Sequence, residues 1–324
     1  MAAALDLVIG DPPAWPHPVR AIAALAALAE KKYRAFFPGL PMVAGIFTTG
    51  TTLFGSMACL LLLFTVTARI HPALFAACAL LLLASSLALH DLLRHSREVL
   101  AALRHNDLPL ARTRLQMIVG RDTHGLTREE IVRATVESVA ENLVDGVLAP
   151  FFYGTIGAVL VPGPAGPVLG AWGYKTINTM DSLFGYKNKQ YEKFGTCAAR
   201  LDDVANFIPA RLSIAAIAMG AWLCRLPVTD TVKTACRDRR KHASPNAAHP
   251  EAAFAGALGI ELGGPARYSG QLVAKPVIGN ACHPPSPSHI HQANRLLLYA
   301  SLAGYMFFLA LGSGCLLVLP HVLR

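Results

Sequence analysis

The chain has 324 residues, of which 53% are hydrophobic and 15% charged, and its mean hydropathy is +0.42. That is too apolar for an ordinary soluble protein. Its net charge of +9 fits a positive-inside membrane protein; the basic residues are dispersed without an aromatic-basic module, which argues against nucleic acid. Seven cysteines, none in a CxxC, exclude a disulfide framework or zinc ribbon as the organising element.

In chain order, residues 1–10, MAAALDLVIG, lack the basic start and longer apolar core of a secretory signal. Residues 11–20, DPPAWPHPVR, read as a proline-punctuated turn, and residues 21–33 as a short alanine-rich helix. Residues 42–68 carry no charge and are long enough to span a bilayer; residues 72–89 are a borderline second span. Only Arg69, Ile70 and His71 separate them, so the two form a hairpin. Residues 91–116, rich in Arg and His, then mark the cytoplasmic face.

Residues 120–150, GRDTHGLTREEIVRATVESVAENLVDGVLAP, carry the strongest signal. At about 100° per residue, with Glu137 at zero, Glu141 lies near 40°, Asp145 near 80°, Ser138 near 100° and Asn142 near 140°. Val132, Val136, Val139, Ala140 and Leu143 take the opposite arc. The spacing predicts an amphipathic helix with one apolar face and one row of carboxylates, an amide and a hydroxyl. Either a solvated helix or a site for a metal, a cation or a polar substrate fits that pattern.

Residues 146–174 are uncharged but interrupted by VPGPAGP at 161–167. Each half is short for a full crossing, which predicts a broken or re-entrant hairpin. Residues 204–224 are apolar but include Asn206, Pro209 and Arg211, and a full crossing would put the basic stretch 225–295 outside, so a non-crossing or re-entrant segment is expected. Residues 296–320 are a clear span. The expectation is an all-α polytopic integral membrane protein, one domain over 1–324, with about four to five transmembrane or re-entrant helical segments and polar cytoplasmic loops.

Three further polar patches lie at membrane boundaries: Lys175, Asn178, Asp181 and Ser182; Arg200, Asp202, Asp203, Asn206 and Arg211; and SPNAAHPE at 244–251 with the glycine-punctuated segment after it. Singly each fits a structural role; together with the Glu137 face they point to one shared active site. Carboxylates and amides are hard ligands that suit Mg²⁺ bridged to phosphates. Arg121, Lys175, Arg200, Arg211 and Arg267 suit phosphate or carboxylate groups. No P-loop, GxGxxG or GxSxG pattern occurs. Cys282, His283, His289 and His291 lack a second zinc-like pair and read as a surface loop.

GDPPAWPHPVR, VGRDTHGLTREEIVRATVESVAENLVDG, YKTINTMDSLFGYKN, ARLDDVANFIPARL, RDRRKHASPN and GALGIELGGPARYSG run in order from Gly10 to about Gly279. In these segments the chain resembles the integral-membrane adenosylcobinamide-phosphate synthase family of cobalamin biosynthesis. The resemblance implies an ATP-dependent ligase that joins a corrinoid carboxylate, adenosylcobyric acid, to (R)-1-aminopropan-2-ol or its O-phosphate, with Mg²⁺ as the ion. It implies a multi-pass protein of the cytoplasmic (inner) membrane, its site facing the cytoplasm, alongside other late cobalamin-pathway membrane enzymes.

Within the polar patches the expected metal ligands or base are Glu137, Glu141 and Asp145, with Asp202 and Asp203 a second acidic group. Lys175, Arg200 and Arg211 are expected on anionic substrate groups, with Asn142 and Asn246 beside them and Asp122 and Asp181 as further candidates. The chain departs from the family in three places. Only nine residues precede Gly10, where the family has a longer apolar helix; Leu143 replaces a small hydroxyl residue; and NACHPPSPSHIH, residues 280–291, replaces a more acidic pattern. A membrane regulator or scaffold and a transporter are the competing readings. The acid, amide and arginine positions speak against a scaffold, and the absence of an internal repeat speaks against a transporter.

Overall fold

A computed structural model describes residues 1–12, 17–186, 188–268 and 270–322, with side chains to residue 317. Parts of the proline turn and of two family-like motifs (residues 13–16, 187 and 269) lie outside the described residues. Four helices are long and apolar enough to cross a membrane: Pro41–Ile70, Pro72–Arg104, Arg128–Leu160 and Pro287–Leu317. A fifth arises if Thr196–Ala205 and Phe207–Leu223, bent by 43° at their junction, count as one span. The chain is an all-α polytopic membrane protein whose strands are confined to two short two-stranded sheets among the described residues.

The chain forms two compact units, each made of separate stretches of sequence. The first comprises residues 1–88, 149–206 and those from 308 onward. Its spine is the Pro41–Ile70 helix, which has a proline at its first turn where the missing N–H goes unneeded. The break at residues 161–164 falls inside the proline- and glycine-rich segment that predicts it, between helices Ala149–Leu160 and Ala165–Phe184. These two pack face to face because small residues let their backbones touch. A Cβ at Gly157 would run into the Gly166 carbonyl, and one at Gly170 into that of Tyr153. Trp172, with Ile22, Phe64, Ala79 and Val168, fills one buried cluster, and the indole Nε1 donates to the Leu82 carbonyl at 2.7 Å, which removes the cost of burying its N–H.

The second unit comprises residues 89–148 and 207–307. The Arg128–Leu143 helix starts at a capping box, Thr127 accepting from the Glu130 N–H and Glu130 from that of Thr127. The amphipathic expectation is corrected here: Val132, Ala134 to Ala140 and Leu143 are all buried, while only Glu141 of the polar row is exposed. Packing covers both faces, so this is a core helix and the first part of a continuous Arg128–Leu160 helix. A π-helical turn over Val144–Leu148 carries Asp145. Pro150 follows, and the wider turn accommodates a proline ring that would crowd the carbonyl four residues earlier. Within the polar stretch 225–295, every residue of the Ala248–Leu258 helix is buried.

Candidate functional site

In the second unit Glu137 is 4% exposed. Its Oε2 pairs with Arg121, and its Oε1 accepts from the Gly263 backbone N–H at 2.6 Å. The connection ties the helix to the loop that precedes it and to the short Leu262–Gly263 strand. Arg121 is held above its ordinary value: burial opposes the charge, but Glu137 more than offsets it.

Glu251 lies in the same electrostatic neighbourhood. It is 5% exposed, and its carboxyl is pushed well above the ordinary range, first by burial and then by Glu141 and Glu137, with Lys275 and Arg121 acting against this. His242 is pushed down by burial and by Lys275, while Glu137 opposes that shift; its Nδ1 accepts from the Ser244 N–H at 3.0 Å. Glu137, Glu141, Glu251, Arg121, Lys275 and His242 therefore act on one another electrostatically, a combination suited to moving a proton.

The remaining expected residues of this unit are placed as follows. Glu141 is exposed and Asp145 half-buried. Asn142 donates to the Ser138 carbonyl of its own helix at 2.9 Å, which turns its amide toward the backbone. Asp122 accepts from the Gly270 N–H at 2.7 Å. Asn246 is buried and accepts from Arg211 Nη1 at 3.2 Å. Among the described residues no three His, Cys, Asp or Glu side chains group closely enough to hold a metal ion. Glu137, Glu141 and Asp145 thus do not form a protein-only cage.

The same finding bears on residues 280–291. Cys282, His283 and His291 are exposed, in keeping with a surface loop. His289 is buried instead and accepts from the Ser286 N–H at 3.0 Å, capping the start of the last helix.

In the first unit, Asp202 is fixed by neutral donors. Asn178 Nδ2 reaches its Oδ1 at 3.3 Å and Asn206 Nδ2 its Oδ2 at 3.0 Å. The Tyr174 hydroxyl then holds the Asn206 oxygen at 3.0 Å, and the Tyr174 ring stacks on Tyr153 at 5.4 Å between centroids. Lys175 acts on Asp202 electrostatically, and so does Asp203. Lys175, Asp181 and Asp203 are half-buried, and Arg200 is exposed. Asp202 and Asn206, four residues apart in one of the expected polar patches, are in contact. Tyr153, Tyr174 and Glu251 are additions; Glu251 ends the 244–251 patch and Tyr174 opens the YKTINTMDSLFGYKN segment, whereas Tyr153 stood in neither.

Comparison with known proteins gives a consistent result. Residues 1–297 match the family described as CobD/CbiB protein. The chain is 44% identical over 315 residues to "Cobalamin biosynthesis protein CobD" of Desulfotalea psychrophila, covering 95% of each chain. It is 40% identical over 310 residues to the protein of the same name from Leptospira interrogans, covering 96% of this chain and 95% of the relative. It is 41% identical over 319 residues to "Cobalamin biosynthesis protein CbiB" of Salmonella typhi, with the same coverage of 96% and 95%. No solved structure matches. This chain belongs to the CobD/CbiB family.

Proposed function

We propose that the protein acts in cobalamin biosynthesis as an ATP-dependent amide ligase, joining the carboxylate of adenosylcobyric acid to (R)-1-aminopropan-2-ol or its O-phosphate. The observation that carries the reading is the CobD/CbiB match over residues 1–297. Each unit, taken by itself, carries polar side chains suited to part of this chemistry.

Amide formation from a carboxylate needs activation of the acid and a deprotonated amine. The corrinoid carboxylate attacks the γ-phosphorus of ATP, the bond to the β-bridging oxygen breaks, and ADP leaves. The amine nitrogen then attacks the acyl carbon. Phosphate departs with one former carboxylate oxygen, and the surplus proton passes from nitrogen to a carboxylate base. Asp202 suits the base, because its orientation is set by two amides and a tyrosine-held asparagine. Lys175 and Arg200 suit the anionic groups of the substrates.

Mg²⁺ fits this donor set only as an ion that arrives with phosphate, since it takes one or two carboxylates plus phosphate oxygens and no three-residue protein group is present among the described residues. Glu141, which is exposed, and Asp145, which is half-buried, are the side chains suited to hold it, whereas Glu137 is buried against Arg121 and Gly263. When bound, the ion would offset charge on the phosphates. We place the protein in the cytoplasmic (inner) membrane, its site open to the cytoplasm where ATP is available, near other late cobalamin-pathway membrane enzymes.

The test is mass spectrometry of a reaction containing the protein in lipid nanodiscs, adenosylcobyric acid, aminopropanol or its phosphate, ATP and Mg²⁺. A product heavier than the corrinoid by the amine minus water, absent when ATP or protein is omitted, is expected. No such product from folded protein would overturn the reading.

A further inference from the structure

On the Val228–Asp238 helix, Lys233, Thr234 and Arg237 follow Asp230 by three, four and seven residues. That spacing puts all four on one face. The face forms one wall of a cleft of about 720 Å³ in the second unit. The end of the Ala248–Leu258 helix, residues 280–283 and the start of the last helix supply the other walls. Backbone contact fixes them: a Cβ at Gly256 would run into the Asp230 carbonyl, and the His283 N–H donates to the Gly259 carbonyl at 3.1 Å. A preformed cleft of this volume is of the size that takes a small molecule.

Its lining is rich in donors that the chain itself does not use. Lys233 is exposed and makes no ion pair among the described residues, with the like charge of Arg237 one helical turn away. Arg237 is fixed by the fully buried Asp238, Nε to Oδ1 at 2.8 Å and Nη2 to Oδ2 at 2.6 Å, and its Nη1 donates to Asn280 Oδ1 at 2.9 Å. Lys241 Nζ also lies 2.9 Å from Asp238 Oδ1, so one carboxylate answers two cations and a positive charge remains. His289 is buried where it lines the cleft, and its Nδ1 accepts from the Ser286 N–H. The proton of the neutral ring is then on Nε2, and no described residue accepts it. Gln292 and the buried Thr234 line the same cleft without a side-chain partner among the described residues.

Asp230 is the one carboxylate lining the cleft among the described residues, and it too makes no ion pair there. The donors suit phosphate oxygens, and a carboxylate beside them suits the hydroxyls of a ribose. Leu226, Pro227 and Leu258 add apolar surface, and the His283 ring offers a face on which a base can stack. We propose that this cleft binds a nucleoside phosphate, with Lys233, Arg237 and His289 on the phosphates and Asp230 on the ribose. Resting on the ligase reading above for its identity, the nucleotide is ATP, for which the sequence offers no P-loop. Aminopropanol or its phosphate would leave most of the volume unfilled.

The cleft carries its own reporter. Cys282 lines it and is exposed; Cys236 is also exposed, on the same helix as Lys233, but does not line the cleft. The full chain in nanodiscs of zwitterionic lipid is labelled with a maleimide, with and without AMP-PNP and Mg²⁺, and both thiols are followed by mass spectrometry. Severalfold slower labelling of Cys282 with Cys236 unchanged is expected. By calorimetry, Lys233→Gln is expected to bind AMP-PNP about tenfold more weakly, the size of one charge-assisted contact. Protection in the wild type decides the matter if that variant fails to fold. Cys282 left unprotected at saturating AMP-PNP, no binding of AMP-PNP, or equal affinity in a folded variant overturns the proposal. So does protection by inorganic tripolyphosphate as strong as by AMP-PNP, which would make the cleft a simple anion site, or protection by aminopropanol phosphate alone, which would assign it to the amine. Protection by AMP-PNP without amide product would leave the cleft standing and remove the ligase; amide product with Cys282 unprotected would do the reverse.

Discussion

Glu137→Ala tests whether the buried pair with Arg121 is a structural joint. The substitution strands a guanidinium whose side chain is 14% exposed, and losing one partner of a buried pair costs about 3–5 kcal/mol. It also removes the acceptor of the Gly263 N–H, whose orphaning alone costs about 1–3 kcal/mol. The two costs overlap, since neighbouring effects are not additive, and a total of about 3–5 kcal/mol is expected. Glu137→Gln keeps an oxygen for Gly263 and loses only the charge, so about 1.5–3 kcal/mol is expected. The double variant Arg121→Met with Glu137→Met removes both charges and retains only the Gly263 cost of about 1–3 kcal/mol. Unfolding in mixed micelles, followed by tryptophan fluorescence, measures all three. A cost below about 1 kcal/mol for Glu137→Ala, or a double variant no more stable than Glu137→Ala, would refute the joint.

Other outcomes follow from the same structure. The Glu251 carboxyl is raised in the folded state, so its protonated form is favoured there; stability from this group falls as pH rises from the unfolded value of about 4.3. Glu251→Gln is therefore expected to be more stable than wild type at pH 8 and equal to it near pH 4, by thermal unfolding; a difference that grows toward acid would contradict this. Asp238 is shifted the other way, held low by its bond from Arg237 and by the bonds from Lys241 and Gly279. Its stabilisation is present above the unfolded value of about 3.9 and is lost as pH falls through the folded value, so the destabilisation of Asp238→Asn should shrink in acid. A destabilisation independent of pH would show that packing, not charge, holds that corner. At Gly157 a Cβ would meet the Gly166 backbone, and Gly157→Ala should cost about 1–3 kcal/mol; an unchanged unfolding midpoint would mean that the helical hairpin opens freely.

Features decided by local sequence were the legible ones. The uncharged stretch behind Pro41–Ile70 and the proline-glycine break near residue 162 read directly as a span and a hairpin turn. Asp202 and Asn206 read as a pair because four-residue spacing on a helix is itself a contact rule. The Glu137 face misled because periodicity reports which residues are polar, not what covers them. Arg121 and the Gly263 N–H come from outside the helix, and Gly263 is far along the chain. The basic run 237–242 looked uniform because only the fold puts Asp238 at the centre of two of its cations, Arg237 and Lys241. His289 belongs to the same class: it reads as part of a surface loop with Cys282 and His283, whereas its ring closes the start of a helix.

The most direct measurement runs the ligation with adenosylcobyric acid labelled by ¹⁸O in the reacting carboxylate and follows both products by mass spectrometry. The account predicts an amide product together with inorganic phosphate carrying one ¹⁸O, since the carboxylate oxygen leaves on phosphorus. Unlabelled phosphate beside amide product would contradict acyl-phosphate activation, and labelled substrate recovered unchanged from folded protein with ATP and amine would contradict the ligase itself.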